Sequence, residues 1–377
     1  MPGQDGGSDS SAGSSGSGGA GGSGGVGGGG AGQDAAAGDA STLDATVADG
    51  SSDAGDASDT PDTLCRNAGE HCMFVAWVTG AGQILYRGSD GSGAWSAIRS
   101  IPAPPTATCV ALEEFEETNN LRFLWAAWST TDGALLAAAS ADGVNWLDLG
   151  TVQPAGTTSS CPVAAAFMPS TTDRRIFIAW TASDGGIRAT THAGVGQFTS
   201  PSEIAPAGST TLGPALQAVR EQPSLELRLW AAWTESDGSI AWTRSSGAAW
   251  DAAEQAFEPG TTAHAPALGM FEEYNGGIFG WMAWRSASDQ VFASYQRGPD
   301  PWVPGVPVAS TVTTETTPSI EALERDANDR FIWVAWARNA SVYWVKTDGI
   351  APFTAPQQLA GATSAKGRPA LGSFRIR

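Results

Sequence analysis

The chain has 377 residues, with 39 acidic against 20 basic side chains and a formal net charge of −19 at pH 7. That balance argues against nucleic acid and anionic membrane surfaces as partners, since both are held by clustered Lys and Arg. No apolar run is long enough for a membrane span, so no transmembrane segment is expected.

The first element in chain order is a tail. Residues 1–64 contain no Lys, Arg or aromatic side chain, and ten Asp supply ten of the net negative charges. Gly, Ser, Ala and Asp cannot bury enough apolar surface to offset the entropy of ordering, so a disordered acidic linker is expected over 1–64. Met1-Pro-Gly-Gln-Asp lacks the basic and apolar regions of a signal peptide, and a signal lying upstream or already removed is expected. The tail resembles the spacers behind the anchored or cleaved N-terminus of bacterial surface proteins, which implies a secreted or surface-tethered protein. A coil of this length has an r.m.s. reach of roughly 40–45 Å, suited to holding a domain off a surface. A tail without a tethering role is the other reading.

The folding unit runs from 65 to 377 and contains all 16 Trp. A hydrophobic segment ending in Ala-Trp recurs as Phe74–Trp77, Trp125–Trp128, Phe177–Trp180, Trp230–Trp233, Trp281–Trp284 and Trp333–Trp336, with Trp separations of 51, 52, 53, 51 and 52. The fourth unit shows the internal order clearly. Strand-like Pro214–Val219 is followed by Leu227–Thr234, the turn Ser236-Asp237-Gly238, Ile240–Arg244, and a last strand ending near Phe257. Four short strands per repeat, joined by Asp-Gly and Gly turns, make a propeller blade. The second strand is apolar at adjacent positions, as required where both faces of a sheet are covered.

An inner-strand motif recurs at Val110, Pro162, Pro214, Pro266 and Pro318, and a sixth copy, Pro369-Ala370-Leu371, lies near the C-terminus. The first unit lacks such a copy before His71. The expected fold is therefore an all-β, six-bladed β-propeller in which Arg368–Arg375 completes blade 1 and leaves no open sheet edge.

Ser89-Asp90-Gly91-Ser92-Gly93-Ala94-Trp95 and Ser140-Ala141-Asp142-Gly143-Val144-Asn145-Trp146 resemble the Asp-box, Ser-x-Asp-x-Gly-x-Thr-Trp, of sialidase-like propellers. Each copy is one residue short or lacks the Thr; Ser245–Trp250 and Thr347–Phe353 are more degenerate. The resemblance covers about residues 70–377, with a looser likeness to bacterial propeller lectins. It implies a turn staple, with the Asp accepting backbone N–H bonds and the Trp packed under the hairpin. For a sialidase it further implies three Arg around a substrate carboxylate and a Tyr nucleophile paired with Glu. Those residues are not recognisable as a set. Only Tyr86, Tyr274, Tyr295 and Tyr343 exist, and Tyr274 beside Glu272 and Glu273 falls on the face opposite the usual site. Phe374-Arg375-Ile376-Arg377 resembles the Phe-Arg-Ile-Pro motif of these enzymes, with the Pro replaced.

Other chemistries find less support. His71, His192 and His264 are far apart, no spacing suits zinc, and neither a metal nor a cofactor is expected. The Glu-rich turns at Glu113, Glu114, Glu116, Glu117, Glu321 and Glu324 are expected to be solvated among Arg122, Arg325 and Arg330. Asp132, Asp184, Asp237 and Asp289 recur at the second turn. They read as Asp-Gly hairpin chemistry or as a ring of carboxylates about a ligand-bearing mouth. Ser160, His264, Glu315, Thr316, Lys366 and Arg368 enter the inner strands and should ring the upper end of the channel. Lys366 and Arg368 there would suit an anion or a sugar acid. Four cysteines permit the pairs Cys65–Cys72 and Cys109–Cys161, or four reduced thiols. The function expected is a non-catalytic binding propeller for carbohydrate or a protein partner at the channel mouth; a divergent sialidase-type hydrolase is the alternative.

Overall fold

A computed structural model describes residue 65 and residues 69–376, apart from 93, 105–106, 118, 195, 273–275, 298–299, 310–311, 327–328 and 350–351. The tail expected over 1–64 and Tyr274 lie outside the described residues. All regular elements among those described are strands, arranged as six four-stranded sheets with every pairing antiparallel. Blades 2 to 6 each take four strands in chain order. Blade 4, for example, is Ala215–Glu221, Glu226–Thr234, Ile240–Ser245 and Glu254–Phe257 from the axis outward.

Blade 1 breaks the chain order. Its inner strand is Ala365–Arg375, followed outward by His71–Thr79, Ile84–Ser89 and Arg99–Ile101. The closing register pairs Cys72 with Phe374, Phe74 with Gly372 and Ala76 with Ala370. Two backbone bonds continue the join beyond the strand: Gly69 N–H to the Ile376 carbonyl at 2.6 Å, and Ile376 N–H to that of Glu70 at 2.8 Å. Closure by the C-terminal strand occurs as the displaced inner-strand motif requires, and it begins three residues earlier than expected.

The blades are held by what lies between them. Second strands are buried on both faces; Phe74 through Val78 are at most 1% exposed, which explains their unbroken apolar sequence. The aromatic at the third-to-fourth-strand turn departs from the expectation of packing under its own hairpin. It reaches back to the preceding blade in a repeated wedge. Trp95 lies edge-on to Trp333 and Trp344 of blade 6, both at 5.9 Å, and the Trp146 indole N–H donates to the Tyr86 hydroxyl of blade 1 at 3.1 Å. Phe198 meets Trp125 of blade 2, Trp302 meets Trp230 and Trp242 of blade 4, and Phe353 meets Trp281 of blade 5. A face-to-face gap between twisted sheets widens outward, and a large flat ring fills it with little conformational entropy lost.

The turn chemistry of the Asp-box-like segments is present. Asp142 accepts from Val144 N–H at 2.8 Å, Asn145 N–H at 2.7 Å and the Ser140 hydroxyl at 3.0 Å. Burial pushes its carboxyl up, but these bonds outweigh that and hold it below the usual carboxylate range. Both disulfides are formed, with Cα separations of 6.0 Å for Cys65–Cys72 and 5.6 Å for Cys109–Cys161. The second joins the inner strand of blade 2 to the segment entering that of blade 3, so neighbouring blades do approach closely enough there.

The ring depends on the packing of its last strand. Phe374 is fully buried against Phe74, ring centroids 6.3 Å apart, and Phe374→Ala should cost about 3–5 kcal/mol in chemical denaturation. Val306→Ala, at a residue 53% exposed, should stay within about 0.5 kcal/mol of wild type.

Candidate functional site

The upper face carries the loops that enter the inner strands and the turns between second and third strands. These two sets interlock by one repeated device. Gly156, Gly208 and Gly260 donate N–H bonds of 2.8, 2.9 and 2.9 Å to the carbonyls of Asp132, Asp184 and Asp237. Two residues on, Thr158, Thr210 and Thr262 each donate at 3.1 Å to the carbonyls of Gly133, Gly185 and Gly238. Gly238, at φ +81°, could not carry a Cβ: it would lie 2.8 Å from the Thr262 carbonyl oxygen. The Thr hydroxyls cross to the next blade, as where Thr262 donates to His264 and Arg285 carbonyls.

Within that frame each recurring Asp binds its own turn. Asp132 accepts from the Thr130 hydroxyl and from Ala134 N–H at 3.3 Å. Asp184 accepts from Gly186 N–H at 2.9 Å and Arg188 at 2.6 Å. Asp237 accepts from Ser239 through both hydroxyl, 2.6 Å, and N–H, 2.9 Å. All three are held below the usual range by these bonds, led by Thr130, Gly186 and Ser239 respectively. They stand on blades 2, 3 and 4, each tied to its local turn.

Three other residues expected at the mouth do meet, around an arginine that sequence reasoning missed. Arg285 pairs with Asp289 at 2.6 Å and donates to the Glu315 carbonyl at 2.6 Å. His264 lies close enough to feel both charges. Burial lowers its pKa first and Arg285 lowers it further, against an upward pull from Asp289, so the imidazole is neutral at pH 7. The Glu315 carboxylate accepts Asn339 N–H at 3.1 Å. Thr316 is structural, its hydroxyl accepting Ala337 N–H at 3.0 Å. Arg285 stands where blades 2 to 4 have Ser129, Thr181 and Thr234, a departure from the repeat that could have flagged it.

A wider upper-face concavity lies off the axis. A cavity of about 440 Å³ is bounded by Thr210, Thr211, Thr234, Asp237, Thr262 and Ala287 from blades 3 to 5 and their loops. A groove of about 360 Å³, lined by Glu254 and Glu258, shares Glu235 and Asp237 with it. The Ser239 hydroxyl sits between these two carboxylates, 3.0 Å from Glu235 and 2.6 Å from Asp237. Glu235 was also missed. Its signal is again a departure, since the matching residue is Ala182 in blade 3 and Ser286 in blade 5.

The axial channel is narrower. Its cavity of about 40 Å³ is bounded by Val110, Leu112, Val163, Leu216, Leu268, Ile320 and Leu371, with Glu113, Glu321 and Arg368 among them. Lys366, two residues above Arg368, is exposed. Burial raises both channel glutamates, Glu321 to about 8, and proximity to Glu321 adds to the rise of Glu113. The Glu-rich lower turns are thus not the solvated surface expected of them, although Arg122 does pair with Glu114 and Glu116 at 3.1 and 2.7 Å. Their carboxyls brace one blade to the next. Glu113 accepts Ala166 N–H at 2.9 Å, Glu114 accepts Arg375 N–H at 3.1 Å, Glu324 accepts Glu272 N–H at 3.3 Å, and Glu321 accepts the Ser373 hydroxyl at 3.3 Å. Inner strands converge at the axis, so side chains there meet the neighbouring blade before they meet water. The Arg325 side chain lies outside the described residues. Among those described, no group of three or more His, Cys, Asp or Glu is placed to hold a metal.

No family model and no curated protein matches the chain. Its fold is similar to solved propellers. A lectin of Burkholderia pseudomallei superposes with a TM-score of 0.58 at 15% identity, over 80% of this chain and 86% of that one. The six-bladed fungal lectin of Aleuria aurantia, described with its fucose recognition mode, gives 0.55 at 13%, over 78% and 97%. A mutant of AofleA from Arthrobotrys oligospora gives 0.59 at 11%, over 83% and 92%. The protein is a six-bladed β-propeller, the fold of the Aleuria aurantia lectin.

A glutamic acid held above its unfolded pKa binds its proton more tightly in the folded chain. The stability that Glu321 contributes is therefore complete below about pH 4.5 and lost as pH rises through about 8. Thermal denaturation should show Glu321→Gln gaining on wild type between pH 5 and 8.5, by on the order of 2 kcal/mol. A constant difference across that range would contradict the placement.

Proposed function

We propose that this propeller binds carbohydrate without cleaving it, in the upper-face cavity beside blade 4. The observation that carries the reading is a separation of roles among the carboxyls. Where there is room for a sugar ring, Asp237 is held below the usual range and stays ionised. Glu235 shares its serine. Such oxygens accept from sugar hydroxyls, and Thr210, Thr211 and Ser236 supply hydroxyls around them. Glycosidic cleavage instead needs a carboxyl raised to act as an acid. The raised carboxyls lie elsewhere: Glu113 and Glu321 face a cavity of about 40 Å³, too small for a pyranose, and Glu114, Glu117 and Glu324 belong to the lower-face segments.

The architecture shared with a fucose-recognising lectin supports the same ligand class. A sialidase-type reading draws less support. Arg375 ends the inner strand at the lower face, Arg368 lines the channel and Arg285 stands on the upper rim, so the three do not converge. The Tyr86 hydroxyl is committed to Gly143 at 3.0 Å and to Trp146. Of the other residues named from the sequence, His264, Asp289 and Glu315 form a second polar rim beside blade 5. Asp132, Asp184 and Lys366 stand as contacts only for a ligand large enough to span the face. Two disulfides fit an oxidising compartment, and we read the protein as secreted or surface-tethered.

Labelled protein on a glycan array should bind a restricted set of glycans. Glu235→Gln and Asp237→Asn should each weaken that binding about 10- to 100-fold, the worth of one charge-assisted hydrogen bond, with Glu235→Gln leaving the melting temperature unchanged. Absence of glycan binding together with turnover of a fluorogenic sialoside would overturn the reading.

A further inference from the structure

The closing strand contains an irregularity that places one charge in the channel. Between the Ala76–Ala370 and Val78–Lys366 pairs, three residues, Gly367, Arg368 and Pro369, stand opposite the single residue Trp77. Gly367 takes φ +75°, a conformation open to glycine. Bulges of this kind re-aim a side chain, and here Arg368 joins the lining of the axial cavity. The matching inner-strand residues of the other blades are Cys109, Cys161, Gly213, Ala265 and Thr317, so the same level of the ring holds no other charge.

No carboxylate among the described residues pairs with that charge. Among the described residues the Arg368 guanidinium makes no hydrogen bond and no ion pair. Burial alone lowers its pKa, to about 10, with no carboxylate opposing the shift. The cavity it lines is also bounded by Val110, Pro162, Val163 and Leu216, with Gln217 and Ser319 as neutral polar members. Glu113 and Glu321 line the same cavity, but four residues further down their strands, about 13 Å away along the axis. They are also held in the neutral form by burial. Lys366, two residues earlier on this strand, is exposed above it. The Arg368 side chain is partly exposed to this narrow channel, where a small anion can take two of its N–H donors at once.

We propose that Arg368 makes the upper part of the axial channel a site for one small anion, either a free halide or carboxylate or the carboxylate arm of a sugar acid. A cavity of about 40 Å³ admits such a group and excludes a sugar ring, which would stay above the mouth. The site is independent of the blade 4 cavity and stands whether or not that cavity binds sugar.

Crystals of the full chain soaked in sodium bromide should show an anomalous peak within about 3.5 Å of the Arg368 guanidinium, absent in Arg368→Met crystals. In parallel, sodium acetate added at constant ionic strength should raise the wild-type melting temperature by about 2 °C or more. Arg368→Met should be as stable as wild type or more so without acetate, and should show no rise. Glucuronate compared with glucose separates the two sources. An Arg368-dependent rise with glucuronate assigns the arm of a sugar acid, and a rise with acetate alone assigns the free anion. Bromide peaks elsewhere with only water at Arg368, or an acetate response that survives in Arg368→Met, would overturn the proposal.

Discussion

The pairing of Ala365–Arg375 with His71–Thr79 is the constraint on which the molecule rests. A blade made of three strands would expose the inner edge of His71–Thr79 and leave a gap at the axis. Supplying the fourth strand from the far end of the domain removes that edge and ties the two ends of the folding unit to each other. Each blade then has a neighbour on both sides, and its second strand can be apolar on both faces. The cost is a contact that must form across nearly the whole domain, which loop-closure entropy makes slow relative to the local hairpins.

Two further devices repeat around the ring and make its geometry definite. On the outer part, an aromatic residue from the third-to-fourth-strand segment of five blades wedges against the blade before it, and Trp95 extends this across the closure to blade 6. On the upper face, Gly-x-Thr loops lock onto the Asp-Gly turns, fixing the rim from which ligand contacts must come. Departures from the repeat then stand out as local features on a rigid background. Glu235, Arg285 and Arg368 are such departures, and each lies at a polar concavity or cluster of the upper face or channel.

The architecture was legible because it is periodic. Six Ala-Trp segments and a displaced Pro369-Ala370-Leu371 copy carry blade number and closure together, and burial on both faces explains the apolar runs. The site was legible only in part. His264, Asp289 and Glu315 were expected at the mouth and do cluster, but the Arg285 that gathers them belongs to a second strand that reads as core. The lower glutamates read as solvated because their sequence neighbours are arginines; their packing against adjacent blades is a tertiary fact. The aromatic wedge was misplaced for the same reason, since a Trp at a turn can pack under its own hairpin or across to the next blade with no difference in local sequence.

Closure is tested most directly by native-state hydrogen exchange on the full chain. The amides of Gly372 and Phe374, which face His71–Thr79, should exchange as slowly as those of Cys72 and Phe74 opposite them, through the same opening, because one ladder protects both. Rapid exchange at 372 and 374 beside protected amides at 73, 75 and 77, which face the next strand outward, would show that the last strand is a loose appendage, and the six-bladed closed ring would not stand.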